Sequence, residues 1–263
     1  MMEAGYIQYD VQFAERESNF ETAADAVKRH PGANLLVLPE LAFSGYDFPN
    51  SEDLHSQSET YGNGPTTTFL KEQSRTHNTI LIAGYPEKDG ERHYNSAMAV
   101  FPDGEIYNYR KTHLFSYETK LFQSSDRKPP IINTDWGKIG IMICFDWFFP
   151  ETTEYLAMNG AQLVAHPSNL VLQHCQKSMY CRCVENSVFA ITANRVGTER
   201  LTDRELTFTG GSQILSPKGV ELAKASCEGE SSATATLDLA EALNKDITPY
   251  NHRWNDRRHD LFS

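Results

Sequence analysis

The sequence predicts an α/β domain in which helices cover β-sheets. Three observations predict this class: short apolar runs typical of strands recur along the chain, segments with helical spacing separate them, and one β-hairpin pattern interrupts the alternation. A chain of 263 residues, 40% of them hydrophobic, is long enough for one large core, because single α/β domains of ~250 residues are common. Periodicity alone leaves open whether the domain holds one sheet or two.

The amino-terminal half begins with a strand and a helix. Residues 5–13 are rich in β-formers and are predicted as a strand. A helix is predicted from Asn19, because Phe20, Ala23 and Val27 share one helical face.

The next apolar run, residues 35–38, is continuous and is followed by Pro39, which is typical of a strand buried on both faces. Glu40 therefore emerges at a strand end. A helix over 67–77 and a strand over 80–85 repeat the alternation.

A β-hairpin is predicted where residues 96–101 and 105–109 flank the turn 102–104, and Lys111 lies just beyond its second arm. The carboxy-terminal half again mixes both element types. Its predicted strands are 138–143, 162–165, 188–193, 211–215 and 233–237, and its predicted helices are 150–159 and 177–186.

Composition excludes several classes of protein. A net charge of -11 repels a phosphate backbone, so nucleic acid is not an expected partner. The longest apolar runs are far shorter than the ~18 residues that span a bilayer, so no membrane association is expected. The amino end lacks a basic segment before an apolar one and does not resemble a signal peptide, which makes the cytoplasm the expected location. Five scattered cysteines are expected as reduced thiols.

No repeat, linker or composition break divides the chain, so residues 1–263 are predicted as a single domain. Residues 244–263 are polar and aromatic by turns and are expected to form a docking tail. Its small basic patch is broken by acidic residues and histidine, which argues against a nucleic-acid site; the residues concerned are Arg253, Trp254, Asp256, Arg257, Arg258, His259 and Asp260.

Cys144 is the first candidate for chemistry. It ends the predicted strand 138–143 and precedes a turn into the helix begun by Pro150, and such a turn can lift a nucleophile out of a sheet. Taken alone, this feature favours a buried structural cysteine, because free cysteines are among the most buried residues. Glu40 and Lys111 also follow strands, and each alone can be a solvated strand end. A thiol with a pKa of about 8.5 needs a base or cation to react, and these two side chains supply both.

Three segments carry a family resemblance: LPELAFSGY at 38–46, YRKTHLF at 109–115 and GIMICFDWFFPE at 140–151. In this order they resemble the signature blocks of the nitrilase superfamily of carbon-nitrogen hydrolases. Residues 94–97 and 166–170 extend the similarity across nearly the whole chain, which is similar to the small single-domain nitrilase or amidase proteins of prokaryotes.

The resemblance implies a four-layer αββα sandwich with Glu40 as general base, Lys111 as cationic stabiliser and Cys144 as nucleophile. Glu118 matches a second glutamate that positions substrate or assists proton transfer. The resemblance also implies that the tail packs across a homodimer, with a higher homo-oligomer as the alternative. The reaction that these residues support needs no metal or organic cofactor.

Residue chemistry gives the matching reaction. The Cys144 sulfur attacks the carbon of a small amide or nitrile, Glu40 moves the proton, and Lys111 with the backbone N–H of Phe145 stabilises the oxyanion, so that a thioester forms and water releases the acid. Tyr46, Trp147 and Asn169 adjoin the blocks and are expected, with Phe145, to bind substrate. A nitrilase acting on small nitriles or dinitriles remains an alternative. So does an N-carbamoyl amidohydrolase, although residues 146–149 offer no cation for a substrate carboxylate.

The sequence also allows other interpretations. His113 suggests a Cys-His peptidase, although holding the Lys111 loop is its expected role. A zinc cluster lacks any Cys-x-x-Cys pair; it would use His174, Cys175, Cys181 and Cys183. A non-catalytic scaffold has no need of a thiol, a base and a cation together. Acyl transfer to an acceptor other than water is a further alternative.

Overall fold

The computed structural model describes residues 1–258, 260 and 261, which form two six-stranded sheets flanked by helices and two further sheets of two strands each. The helices are α1 (Arg16–Lys28), α2 (Ser51–Gln57), α3 (Pro65–His77), α4 (Glu118–Leu121), α5 (Pro150–Met158) and α6 (Cys175–Asn186). The strands are β1 (Met2–Gln8), β2 (Leu35–Val37), β3 (Ile80–Asp89), β4 (Arg92–Val100), β5 (Ile106–Arg110), β6 (Ile131–Thr134), β7 (Gly137–Ile141), β8 (Leu163–Ser168), β9 (Phe189–Asn194), β10 (Thr198–Glu199), β11 (Leu206–Thr207), β12 (Gln213–Leu215), β13 (Glu221–Lys224), β14 (Ser231–Leu237), β15 (Asp246–Thr248) and β16 (Asn251–His252).

Each large sheet has a parallel centre and antiparallel edges. The first has the order β14-β1-β2-β3-β4-β5, in which β1, β2 and β3 are parallel. The second has the order β13-β12-β9-β8-β7-β6, in which β7, β8 and β9 are parallel. Crevices outside the carboxyl ends of parallel strands are the usual ligand sites of such sheets, and both β2 and β7 lead at their carboxyl ends into candidate catalytic residues.

Side-chain alternation along β2 explains the layers. Leu35 and Val37 belong to the central core, which also contains Ile141 of the second sheet. Leu36 points the other way, into the core shared with Phe20 of α1. Because successive side chains of a strand face opposite sides, one short apolar run contributes to both cores. Helices α5 and α6 cover the second sheet, and the predicted αββα sandwich is confirmed.

The strand predicted at residues 5–13 is wrong in its bounds, since β1 spans Met2–Gln8. Beyond Gln8 the chain leaves the sheet, and the Arg195 guanidinium donates to the Val11 carbonyl at 2.5 Å. The first helix begins at Arg16, three residues before Asn19, whose side chain instead bonds the backbone of Gln12 on both its N–H (2.8 Å) and its carbonyl (2.7 Å). The hairpin prediction holds, with Val100 paired to Ile106.

The tail contacts its own chain. Arg257 pairs with Glu154 of α5 at 2.5 Å, and Arg253 donates to the Val184 carbonyl of α6 at 3.1 Å. Burial and the nearby Arg253 lower the pKa of Lys245 to about 8. Of the predicted patch, His259 lies outside the described residues. Within the described part of the chain, no helix is long and apolar enough to cross a membrane.

Candidate active site

Cys144 occupies a strained turn at the end of the strand region that contains β7. Its φ of 40° lies in the left-handed region, which costs a non-glycine residue of the order of 1–3 kcal/mol and is typical of functional sites. Two buried side chains hold the turn. The His166 ring, through Nε2, bonds the Cys144 carbonyl at 2.9 Å, and Asp146 accepts the Ile143 N–H at 2.9 Å.

Glu40 follows β2 in a turn pressed against β3. A Cβ at Gly84 would lie 2.4 Å from the Leu41 nitrogen and 2.5 Å from the Glu40 Cα, so only glycine permits this approach. The fully buried carboxylate is fixed through Oε1, which accepts hydrogen bonds from Asn95 Nδ2 at 2.7 Å and from Lys111 Nζ at 2.7 Å.

Lys111 follows β5 and donates its protons to two carboxylates. Its Nζ lies 2.7 Å from Glu40 Oε1 and 2.8 and 2.9 Å from the two oxygens of Glu118. Glu118 opens α4 and also accepts the Tyr46 hydroxyl at 2.6 Å. Since the ammonium is fully buried, these acceptors compensate for the water that it has lost.

The electrostatics follow from this arrangement. Burial and the nearby Glu40 and Glu118 raise the pKa of Cys144 well above its ordinary value and outweigh the opposing effect of Lys111. Burial opposes the charge on Lys111, yet the two carboxylates raise its pKa. Burial also raises the pKa of Glu118. The resting nucleophile is therefore a neutral thiol, and a base must remove its proton during attack.

Asp146 ties the nucleophile turn to the lysine segment. Besides the Ile143 N–H, its buried carboxylate accepts the Tyr109 hydroxyl at 2.7 Å, the His113 N–H at 3.0 Å and His113 Nδ1 at 2.8 Å. The His113 ring stacks on Phe149 with centroids 3.8 Å apart. His113, in the loop that follows Lys111, therefore contacts Asp146 and Phe149 in the segment that follows Cys144.

Tyr46 is held from the other side by a buried ion pair. The Glu199 carboxylate accepts the backbone N–H groups of Tyr46 (3.1 Å) and Asp47 (2.7 Å). Arg195 in turn pairs with Glu199 at 2.5 Å and lies over the Phe208 ring. This chain of contacts fixes the tyrosine whose hydroxyl reaches Glu118.

A small recess of about 10 Å³ adjoins the nucleophile; it is lined by Phe115, Cys144, Phe145, Trp147, Asn169, Leu170, Val171 and Leu172. A second recess of about 30 Å³ lies beside Tyr46 and Glu118 and shares Phe115 and Val171 with the first. The predicted substrate-binding residues thus fall on two adjoining recesses: Phe145, Trp147 and Asn169 line the first, and Tyr46 lines the second. A cavity of ~10 Å³ is about the size of one water.

Sequence reasoning missed four residues that organise the site. Asn95 and Gly84 lie within strands, Asp146 lies between aromatic residues, and Glu199 lies in a short hairpin strand. None of them is at the end of a long apolar run, which was the signal for Glu40 and Cys144. Asn95 and Asp146 lie in segments that contribute to the family resemblance, but their contacts with Glu40 and with Ile143 require the fold.

The proposed zinc ligands are spread around α6. Cys175 and Cys183 are buried in the central core, whereas Cys181 is exposed. Within the described residues, no three histidine, cysteine, aspartate or glutamate side chains are grouped to hold a metal ion.

Comparison with known proteins gives consistent results. The family model for carbon-nitrogen hydrolases matches residues 3–244. The chain is 40% identical to a protein named nitrilase from Pyrococcus abyssi, over 100% of this chain and 99% of the relative. A solved carbon-nitrogen hydrolase from Helicobacter pylori G27 is 28% identical with a TM-score of 0.83, covering 92% of this chain and 90% of that one. A mutant of the Nesterenkonia AN1 amidase, from the nitrilase superfamily, is 25% identical with a TM-score of 0.81, covering 99% and 95%. The predicted resemblance is confirmed.

Proposed function

Because the chain belongs to the carbon-nitrogen hydrolase family, an enzyme class acting on carbon–nitrogen bonds other than peptide bonds, we propose that it cleaves a small amide or nitrile through a thioester on Cys144. The enzyme class predicted from sequence is confirmed by the family. The observation that carries the residue assignment is the buried Glu40–Lys111–Glu118 cluster, with its 2.7 and 2.8 Å contacts, beside the thiol.

For an amide, acylation begins when Glu40 takes the thiol proton and the sulfur attacks the carbonyl carbon. Oε2 of Glu40 is the atom suited to this transfer, because Oε1 already accepts from Lys111 and Asn95. The protonated Glu40 then delivers the proton to the departing nitrogen, so that ammonia leaves and the thioester remains. The same carboxylate next removes a proton from water, which attacks the thioester and restores the thiol as the acid is released.

Lys111 and the backbone N–H of Phe145 stabilise the oxyanion in both tetrahedral states, with each well-placed donor contributing ~3 kcal/mol. Lys111 makes two contacts to Glu118, and Tyr46 also donates to that carboxylate. One ammonium proton can therefore turn to the oxyanion while Glu118 keeps its other donors. In this proposal, Glu118 positions Lys111.

The substrate is small. The recess beside Cys144 and its neighbour together leave room for only a few atoms. Both are mainly lined by apolar and aromatic side chains, which favours an uncharged substrate. Arg204 borders the second recess but pairs with Asp47 and lies 3.9 Å over the Tyr117 ring, so its charge is already compensated.

The finer assignments form part of the same proposal. The chain acts as one catalytic domain with a docking tail, in the cytoplasm, where its five free cysteines remain reduced. It forms a homodimer through α5, α6 and the tail, supported by the exposed apolar side chains Met158, Tyr180 and Tyr250 on these segments.

The test is ammonia release from a panel of short amides, nitriles, dinitriles and carbamoyl compounds, with Cys144→Ala as the inactive comparison. The proposal expects release with at least one substrate by the native protein and none by Cys144→Ala. Equal release by both proteins would overturn it. Cys227→Ala, which removes an exposed cysteine outside both the site and the proposed dimer segments, is the matched control and should retain full activity.

A further inference from the structure

Unpaired buried oxygens are concentrated around Glu40. Within the described part of the chain, four buried side-chain polar atoms lack a hydrogen-bond partner, and three of them are Glu40 Oε2, Asn95 Oδ1 and Asn169 Oδ1. All three are acceptors. A buried polar atom without a partner is destabilising, so a cluster of such atoms in one site calls for donors that the chain itself does not supply, and a bound substrate is one source of them.

The orientation of Asn169 is fixed by its other contacts. Its Nδ2 donates to the Glu40 backbone carbonyl at 2.9 Å. Exchanging the amide nitrogen and oxygen would set two acceptors against each other, so Oδ1 must be the end that faces away from this carbonyl. The backbone of Asn169 also opposes the rise in the pKa of Cys144, and the residue lines the recess beside that thiol.

We propose that Asn169 Oδ1 and Glu40 Oε2 together accept the two N–H groups of an unsubstituted –CONH2 substrate, which makes Asn169 a specificity-determining residue for primary amides over nitriles. This inference rests on the proposed function and deepens it. A primary amide nitrogen offers two donors, an N-methyl amide offers one and a nitrile offers none. Holding the nitrogen on Asn169 also keeps it within reach of Glu40, which must protonate it as ammonia leaves.

The expected selectivity follows from the chemistry of unmet acceptors. A site built to hydrogen-bond a substrate N–H discriminates against analogues that lack it, because its own buried groups are then left unpaired. One lost neutral hydrogen bond with an unsatisfied partner corresponds to roughly 10- to 100-fold in kcat/KM. The relatives do not fix this outcome in advance, since their names include both nitrilase and amidase.

The experiment compares propionamide, N-methylpropionamide and propionitrile by kcat/KM for the native protein, Asn169→Ala and a control. The control is Asn186→Ala. Asn186 is also buried, and its Nδ2 also donates to a backbone carbonyl, that of Arg182 at 3.0 Å, but it lies away from the site. The expected result is a native preference for propionamide of at least roughly tenfold over each analogue. Asn169→Ala should lower propionamide turnover roughly 10- to 100-fold and propionitrile turnover less than roughly threefold, while Asn186→Ala changes neither ratio.

A second measurement does not depend on the variant. It compares how fast chloroacetamide and chloroacetonitrile alkylate Cys144 in the native protein, with each rate divided by that reagent's rate with glutathione. The normalised rate should be roughly tenfold or more higher for chloroacetamide. A native preference for nitrile, equal normalised labelling rates, or equal losses on amide and nitrile in Asn169→Ala would overturn the inference. None of these results would remove ammonia release itself, whereas absence of release from every probe tested would count against the proposed function.

Discussion

Replacing Lys111 with methionine tests the buried charge cluster most sharply. Lys111→Met keeps the aliphatic volume but leaves Glu40 and Glu118 as neighbouring buried carboxylates without the cation between them. Removing one member of a buried ion pair typically costs about 3–5 kcal/mol, because the partner charge stays buried and uncompensated. For a protein of this size each kcal/mol lowers the melting temperature by roughly 2–4 °C, so the expected loss is roughly 6–20 °C.

The assay is urea and thermal unfolding of Lys111→Met, Glu118→Gln and the double variant. The double variant should be more stable than Lys111→Met alone by at least about 1 kcal/mol, because it removes one of the uncompensated charges. Lys224→Met, which removes an exposed lysine paired with Glu221 on the surface, should stay within about 0.5 kcal/mol of the native protein. A loss below about 1 kcal/mol for Lys111→Met, or simple addition of the two single costs, would refute the reasoning.

Two further predictions concern the nucleophile turn. Burial lowers the pKa of His166 to about 4, so between pH 6.5 and 4 the unfolded chain binds a proton that the folded chain does not. The free energy of unfolding should fall by about 3 kcal/mol through this window as pH decreases. Urea unfolding at several pH values should show a smaller fall for His166→Gln. The same dependence of the unfolding free energy on pH in both proteins would contradict this prediction. Asp146→Asn should lower kcat roughly 10- to 100-fold with a smaller change in KM, because it weakens the four hydrogen bonds by which this carboxylate positions the turn. Steady-state kinetics that show an unchanged kcat would count against this prediction.

Much of the site was predictable because its charged residues follow apolar strands. Glu40 follows the run 35–38 and Pro39, Lys111 follows a hairpin recognisable from its turn, and Cys144 follows an apolar strand. Each of these signals is local. The three side chains come together because two sheets pack face to face. Strand periodicity does not predict this packing, and only the three family segments imply it.

The remainder depends on contacts between distant segments. Helix α2 has Leu54 as its only buried residue, so the sequence shows no apolar face for it. The edge strands β6 and β13 have mixed exposure and no alternation that stands out. Glu199 acts on Tyr46 across 153 positions of sequence. No pattern within either segment signals that contact.

The most direct test of the thioester is product partitioning in the presence of hydroxylamine. A primary amide and a methyl ester that share one acyl group should form the same acylated Cys144, so water and hydroxylamine should divide it in the same ratio whichever substrate is supplied. We expect identical ratios of hydroxamate to acid from the two substrates, and neither product from Cys144→Ala. A ratio that changes with the leaving group would mean that the acceptor attacks the substrate itself, and it would contradict the covalent mechanism.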